Sequence, residues 1–410
     1  MKKILLYFLF AGFIWSGCNT WIGKQYVNTV SRYNRIYHAQ KIIRETDEDI
    51  RKAYKDDFNQ LLPVFNLGSE SSLKANGGEM DKVLKKTSKV IEKHPKSKWA
   101  DDAWFLMGQS YFYRGDFFAA IENFEYVSSK YKETDIAYRA NLWTLYSYIL
   151  MEKESESLAI ITKLKNEKSF PEKYKKGLFL SAAEIAIKQK KTSIALENIN
   201  KAIPLLKDRG QKIRTHFIAG QLYQILDSFD QASFHFNRVI KYTPPYDFNF
   251  NAQINLASAL VQSEGKSYKR AQSVLQRMLK DDKNIEYYGR IYYELGKVDE
   301  MANQPLAALK HYKTAAAQKQ SNSILKTNVY NSIGELYFEQ EDFINSELYY
   351  DSANGTLSEN HPNFDKLANL REDQVNLLTN LVTLQRNDSL LMLANNPKRL
   401  EEIIEEQLRR

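Results

Sequence analysis

The chain has 410 residues, of which 43% are hydrophobic and 13% aromatic, enough to bury a long core. Its formal charge of +8 is scattered along the sequence among acidic residues, with no basic block and no RNA-binding signature. That excludes nucleic acid as an expected partner and leaves an acidic protein or an anionic membrane surface.

Met1-Lys2-Lys3 is a positive start, followed by the apolar run Ile4 to Ile14 and then Trp15-Ser16-Gly17-Cys18. A run that short reads as the core of an export signal and not as a membrane span. The small residues ahead of Cys18 resemble a lipobox, although Trp15 stands where an aliphatic residue is usual. An ordinary signal peptide cleaved nearby, or an uncleaved anchor, is the alternative. Residues 1–17 are therefore expected to be a lipoprotein signal peptide, with Cys18 the lipidation site. As the sole cysteine, Cys18 also rules out an intramolecular disulfide. Acyl chains there would anchor the protein in a membrane, each buried methylene contributing about 0.8 kcal/mol.

Residues 18–78 read as an anchor and linker region. Tyr26 to Arg44 and Asp47 to Asn59 look helical, Leu61-Leu62-Pro63-Val64-Phe65 breaks the run, and Leu67 to Gly78 reads as a loop. Met80 to Lys93 is a helix stopped by His94-Pro95, the second helix of a capping half-repeat.

Residues 79–362 carry a repeat. Asp101 to Lys132 reads as two amphipathic helices around Arg114-Gly115-Asp116. Gly108 and Ala120 are small, so two backbones can cross closely, while Trp104, Tyr111 and Phe124 fill the space beside the crossing. The pattern recurs as Gly220, Tyr223, Ala232 and Phe236, as Gly296, Ala308 and Tyr312, and as Gly334, Tyr337, Ser346 and Tyr350. Ala183, Ala195 and Ile199 form a glycine-less copy. The anchors 108, 183, 220, 296 and 334 are separated by 75, 37, 76 and 38 residues, so two gaps are double. Tyr138 to Leu164 and Ala252 to Leu279 fill them, giving seven helix pairs. This resembles the tetratricopeptide repeat and implies an all-α superhelix of about seven pairs with a helical N-terminal region.

Such a stack presents a concave groove lined by first helices. Helical phase places Asp102, Phe105, Gln109 and Phe112 on that face in the first pair. Arg214, Phe217, Gln221 and Gln224 take those places in the fourth, and Arg290, Tyr293, Lys297 and Glu300 in the sixth. Exposed aromatic rings beside Arg, Lys and Gln suit a peptide or a partner helix. No catalytic motif, metal-ligand spacing or phosphate loop is present, so no enzyme, cofactor, metal or small-molecule substrate is expected. His216 and His235, on the two helices of one pair, could approach each other. Residues 363–410 read as a C-terminal helical extension, with helices at Phe364 to Arg386 and Lys398 to Arg410 and an end that reads as a truncation. Asp351-Ser352-Ala353 and Asp388-Ser389-Leu390 resemble bacterial O-glycosylation sites at Ser352 and Ser389.

The stretches SRYNRIYHAQ (31–40), DDFNQLLPVF (56–65), DDAWFLMGQSYFYRGDFFAAIENFEYV (101–127), AGQLYQI (219–225), FNAQINLASA (250–259), KDDKNIEYYGRIYYELG (280–296), YYDSA (349–353) and NDSLLMLA (387–394) resemble, in order, the PorW/SprE family of outer-membrane lipoproteins. Two departures stand out: His38-Ala39 replaces an expected Asn-Gly turn after Tyr37, and family members continue beyond NDSLLMLA. The resemblance implies a non-catalytic periplasm-facing scaffold needed for type IX protein secretion, and for gliding motility where present. Its implied partners are translocon components and the PorK–PorN ring and motor. A BamD-like lipoprotein of β-barrel assembly is the alternative, but has about five pairs. A SusD-like glycan-binding lipoprotein is a third, but carries an insertion that is missing here. No acidic residue lies within five positions after Cys18, so retention on the periplasmic face is expected. Cys18→Ala should abolish labelling by radioactive palmitate and release the protein from membranes; label retained by that variant overturns the lipobox reading.

Overall fold

A computed structural model of the chain describes residues 21–319, 323–359, 361, 364–395, 401, 402 and 405. The export segment, Cys18 and most of 398–410 lie outside the described residues. Helices α1 (Trp21–Ser31) and α2 (Tyr37–Ala53) are joined by the π-turn Arg32–Ile36. Next come the short α3 (Glu70–Lys74) and α4 (Gly77–Lys93). The pairs follow as α5 (Ala100–Tyr113) and α6 (Phe117–Lys130), α7 (Asp135–Leu150) and α8 (Glu154–Asn166), then α9 (Glu172–Lys188) and α10 (Thr192–Ala202). After α11 (Arg209–Ile225) and α12 (Phe229–Lys241) come α13 (Tyr246–Gln262) with α14 (Tyr268–Met278), and α15 (Tyr288–Met301) with α16 (Pro305–Ala317). The last are α17 (Ser323–Glu339), α18 (Phe343–Thr356) and α19 (Phe364–Ala394). Among the described residues there is no strand, and none of these helices is long and apolar enough to cross a membrane.

Two compact units divide the chain, residues 1–228 with 241–244, and residues 229–240 with 245–410. In the first, α4 packs on α5 and the hairpins α5/α6, α7/α8 and α9/α10 stack toward α11. In the second, α13/α14, α15/α16 and α17/α18 stack, and α19 lies against α18. The helices expected for the seven pairs occur in the expected order along the chain.

No turn follows Tyr37, in keeping with His38-Ala39 standing in place of Asn-Gly: the π-turn ends just before it, and Ile36, Ala39 and Ile43 face the core. Several local expectations are corrected. The helix expected over Asp47 to Asn59 stops at Ala53. The expected loop contains α3, opened by the Ser69 hydroxyl accepting from the Ser72 N–H. Gly77 and Gly78 belong to the first turn of α4, and α19 runs past Arg386 to Ala394.

One volume rule governs the hairpins. The buried anchors of the first helices are Gly108, Leu145, Ala183, Ala259, Gly296 and Gly334, each followed twelve residues later by a small residue: Ala120, Ser157, Ala195, Ala271, Ala308 and Ser346. At position sixteen stand Phe124, Ile161, Ile199, Leu275, Tyr312 and Tyr350. The small residues are buried, and Ser346 meets the opposite backbone, its hydroxyl donating to the Gly334 carbonyl at 3.0 Å. The glycines, though, are glycine because of the sixteenth residue: a Cβ on Gly108 would lie 2.6 Å from the Phe124 ring, and on Gly334 3.1 Å from that of Tyr350. Tyr312 covers Gly296 in the same way. Where the anchor has a side chain, the sixteenth residue is aliphatic. The sequence keeps the same exchange at Gly220, Ala232 and Phe236.

The turns share a second rule. Seven residues after each anchor the backbone turns left-handed, at Gly115, Glu152, Lys190, Asp227, Lys266, Asn303 and Glu341. There the helix end is closed by paired bonds such as Asp116 N to the Tyr111 carbonyl and Gly115 N to that of Phe112. Only one of the seven is glycine; Asp227 and Asn303 are types that visit this conformation, while Glu152, Lys190, Lys266 and Glu341 adopt one that their side chains disfavour.

Gly108→Ala should destabilise the first unit by about 1–3 kcal/mol through overpacking against Phe124. Gly108→Ala with Phe124→Ile, which copies the Ala183/Ile199 pair, should recover most of that loss in denaturant titrations. Equal loss in both variants defeats the volume rule.

Candidate functional site: a loop bound across the first helices

Helix α2 ends at Ala53, where Tyr54 turns extended with its N–H on the Ile50 carbonyl. Asp57 closes a local turn, its side chain accepting from the N–H and side-chain amide of Asn59 at 3.0 Å each. Pro63 then holds Leu62 extended and brings no N–H of its own. The result is a loop, residues 54–65, whose ends are brought together: the Arg51 guanidinium donates to the Asn66 side chain at 3.0 Å and to Asp47 at 2.8 Å. The Tyr113 hydroxyl on α5 also donates to Asp47, at 2.8 Å. A long loop pinched at its base is an Ω-loop in form.

This loop lies on the face made by the first helices of successive hairpins. Arg214 on α11 grips both legs. Its guanidinium makes a bidentate pair with Asp56, at 2.6 and 2.9 Å, and donates through Nε to the Pro63 carbonyl at 2.9 Å. Two turns further along α11, Gln221 donates to the Gln60 carbonyl at 2.8 Å and accepts from the Leu62 N–H at 3.1 Å. On α9, Glu184 accepts from the Val64 N–H at 2.6 Å. Phe58 meets the Phe217 ring edge-on, with centroids 5.3 Å apart, and Phe65 packs on Tyr146 of α7 at 5.1 Å. Tyr146, Glu184 and Gln221 each follow an anchor by one residue, so successive hairpins present equivalent positions to one bound segment.

Burial gives these contacts weight. Leu62 is 1% exposed, and the Arg214 and Asp56 side chains only 10% and 9%. Burial pushes the Glu184 carboxyl above its ordinary range, while the Val64 and Phe65 N–H groups pull it back. Most of the polar bonds address main-chain atoms, which any extended peptide carries; Asp56 supplies the one charge-specific contact.

The expected groove residues divide accordingly. Phe105, Phe112 and Phe217 are not exposed but fully buried. Phe105 and Phe112 pack on Trp143 of α7, centroids 6.3 and 5.0 Å away, because the next first helix covers the face that phase alone assigns to solvent. Gln109 is buried too. Arg214 and Gln221 do line the face, yet the chain's own loop occupies them. Asp102, Gln224, Arg290, Tyr293 and Lys297 are half-buried and Glu300 is exposed, accepting from the Tyr312 hydroxyl at 2.6 Å. The packing residues Trp104, Tyr111, Tyr223 and Tyr337 are half-buried, Trp104 meeting the Tyr126 ring at a tilt with centroids 4.5 Å apart. Ser352 is half-buried and Ser389 exposed, each hydroxyl donating to the carbonyl four residues back. His216 packs on Tyr242 in the first unit, and His235 lies in the second. Glu184 and the loop residues Asp56, Gln60, Leu62 and Val64 escape the sequence reading. Their signal is a non-helical acidic-to-apolar stretch too long for a plain connection.

A family model for the tetratricopeptide repeat matches residues 102–134. Similar solved structures include a tetratricopeptide repeat protein from Parabacteroides merdae, 13% identical over 66% of this chain and 98% of that one, TM-score 0.40. Another is the C-terminal part of a repeat-containing protein from Cytophaga hutchinsonii, 13% identical over 63% and 97%, TM-score 0.46. A third is a signal-transduction ATPase with a tetratricopeptide repeat sensor from Pyrococcus horikoshii, 13% identical over 78% and 50%, TM-score 0.46. Comparison with curated proteins returns no match. The fold is that of tetratricopeptide-repeat proteins, which generally serve as scaffolds for protein partners.

Burial, and then the neighbouring Asp101, push the Asp102 carboxyl up to about 6, with Arg139 partly offsetting them. The folded state therefore binds this proton more tightly than the unfolded chain. Stability from this group rises as pH falls from about 6 toward the ordinary carboxylate range, and is flat above. Asp102→Asn should be more stable than wild type at pH 7, an advantage that shrinks by pH 5 in urea titrations; a constant difference contradicts the assignment.

Proposed function

We propose that this protein is a non-catalytic scaffold lipoprotein on the periplasmic side of the outer membrane, serving type IX secretion by linking translocon components to the PorK–PorN ring. The observation that carries the protein-binding part is the loop itself: the first-helix face holds a chain segment through hydrogen bonds to its main chain. The secretion assignment is supported by the ordered resemblance to the PorW/SprE family, one stretch of which, DDFNQLLPVF, forms that loop. The membrane placement is supported by Cys18 and by Trp21, Tyr26, Tyr33 and Tyr37, large aromatic residues exposed on α1, its π-turn and α2. Such amphipathic rings favour a membrane–water interface.

Tagged protein crosslinked in intact envelopes and purified under denaturing conditions should carry ring and translocon proteins of type IX secretion. Recovery of β-barrel assembly proteins in their place favours the BamD-like alternative and overturns the secretion reading.

A further inference from the structure

We propose that the first-helix face of the first unit is a binding groove for an extended acidic peptide of a partner protein, and that loop 54–65 is an internal ligand which keeps it closed until that peptide replaces it. The proposal deepens the protein-binding reading by naming the ligand class. It rests on that reading alone, and not on the membrane anchor or the secretion assignment.

Three observations carry it. First, groove side chains from α9 and α11 read a segment rather than pack against one. Gln221 contacts one carbonyl and one N–H, Glu184 takes a second N–H, and Arg214 Nε takes a second carbonyl. Main-chain recognition of this kind transfers to any peptide in the same extended form.

Second, the loop can leave as a unit. Its base is closed by Arg51, Asp47, Asn66 and Tyr113, so release opens neither α2 nor α4. Release also rehydrates Asp56 and Arg214 together, and the desolvation relieved offsets much of the attraction lost.

Third, the vacated face has a definite chemistry. It offers one guanidinium for one carboxylate, an amide and a carboxylate for backbone groups, and the rings of Phe217 and Tyr146 for apolar side chains. The matching ligand is an extended peptide with a single Asp, Glu or terminal carboxylate beside an apolar stretch.

The test uses the full chain and a fluorescent peptide copying residues 54–67, followed by anisotropy. In one variant, residues 55–64 are replaced by Gly and Ser in equal number. That variant should keep its helical circular dichroism and bind the peptide at least tenfold more tightly than wild type, with Asp56→Ala in the intact chain falling between them. Arg214→Ala with Gln221→Ala in the loop-replaced variant should abolish binding. A peptide whose Asp56 equivalent is Ala should bind the loop-replaced variant more weakly. Loss of fold on replacing the loop would make it a permanent structural strap and overturn the proposal. So would wild type binding as tightly as the loop-replaced variant, or binding that survives loss of Arg214 and Gln221. Failure of the envelope crosslinking, by contrast, leaves this result untouched, since only purified protein and peptide are used.

Discussion

Everything in the two units depends on how closely paired helix backbones can approach. Each hairpin has a fixed space at its crossing, to be shared by the anchor and the residue sixteen positions later. Gly108 yields its share to Phe124, Gly296 to Tyr312 and Gly334 to Tyr350; Ala183 keeps part of its share and is met by Ile199. Since interiors are close-packed, neither member of a pair can change size alone. The stacking that builds the first-helix face follows from this, because the spacing of the hairpins fixes where Tyr146, Glu184 and Gln221 fall.

The face so built is unusual in holding buried polar groups that hairpin packing does not satisfy. Glu184, Arg214 and Gln221 sit within the first unit, nearly closed off from water, and their partners come from one stretch of chain far away in sequence. A buried polar group without a partner costs roughly 1–3 kcal/mol. The arrangement therefore stands only while something extended fills the groove, or while water does.

How much of this was readable beforehand differs with the kind of information. The repeat, its phase and its seven pairs follow from spacing, because Gly, small and aromatic residues recur at fixed separations whatever happens elsewhere. The solvent-facing residues did not follow. Helical phase identifies the face turned from the partner helix, but Phe105 and Phe112 are covered by Trp143 of the next hairpin, a contact that single-helix periodicity does not encode. The turns were legible only at Gly115, since Glu152, Lys190 and Glu341 take the same left-handed conformation without its usual residue. The loop was legible as a helix break at Pro63, but its destination was not, because nothing local ties Leu62 to Gln221.

The loop also sets an order on folding. Each hairpin closes over a dozen or so residues, a local step that proceeds quickly. The loop's bonds join residues 120, 159 and 161 positions apart in the chain. Such distant pairs form late, since the chain between them must first be ordered. During synthesis residues 54–65 emerge long before Glu184, Arg214 and Gln221 exist. The segment that fills the groove thus waits through the assembly of its own site without the partners of Gln60, Leu62 and Val64, and its docking marks the completion of the first unit.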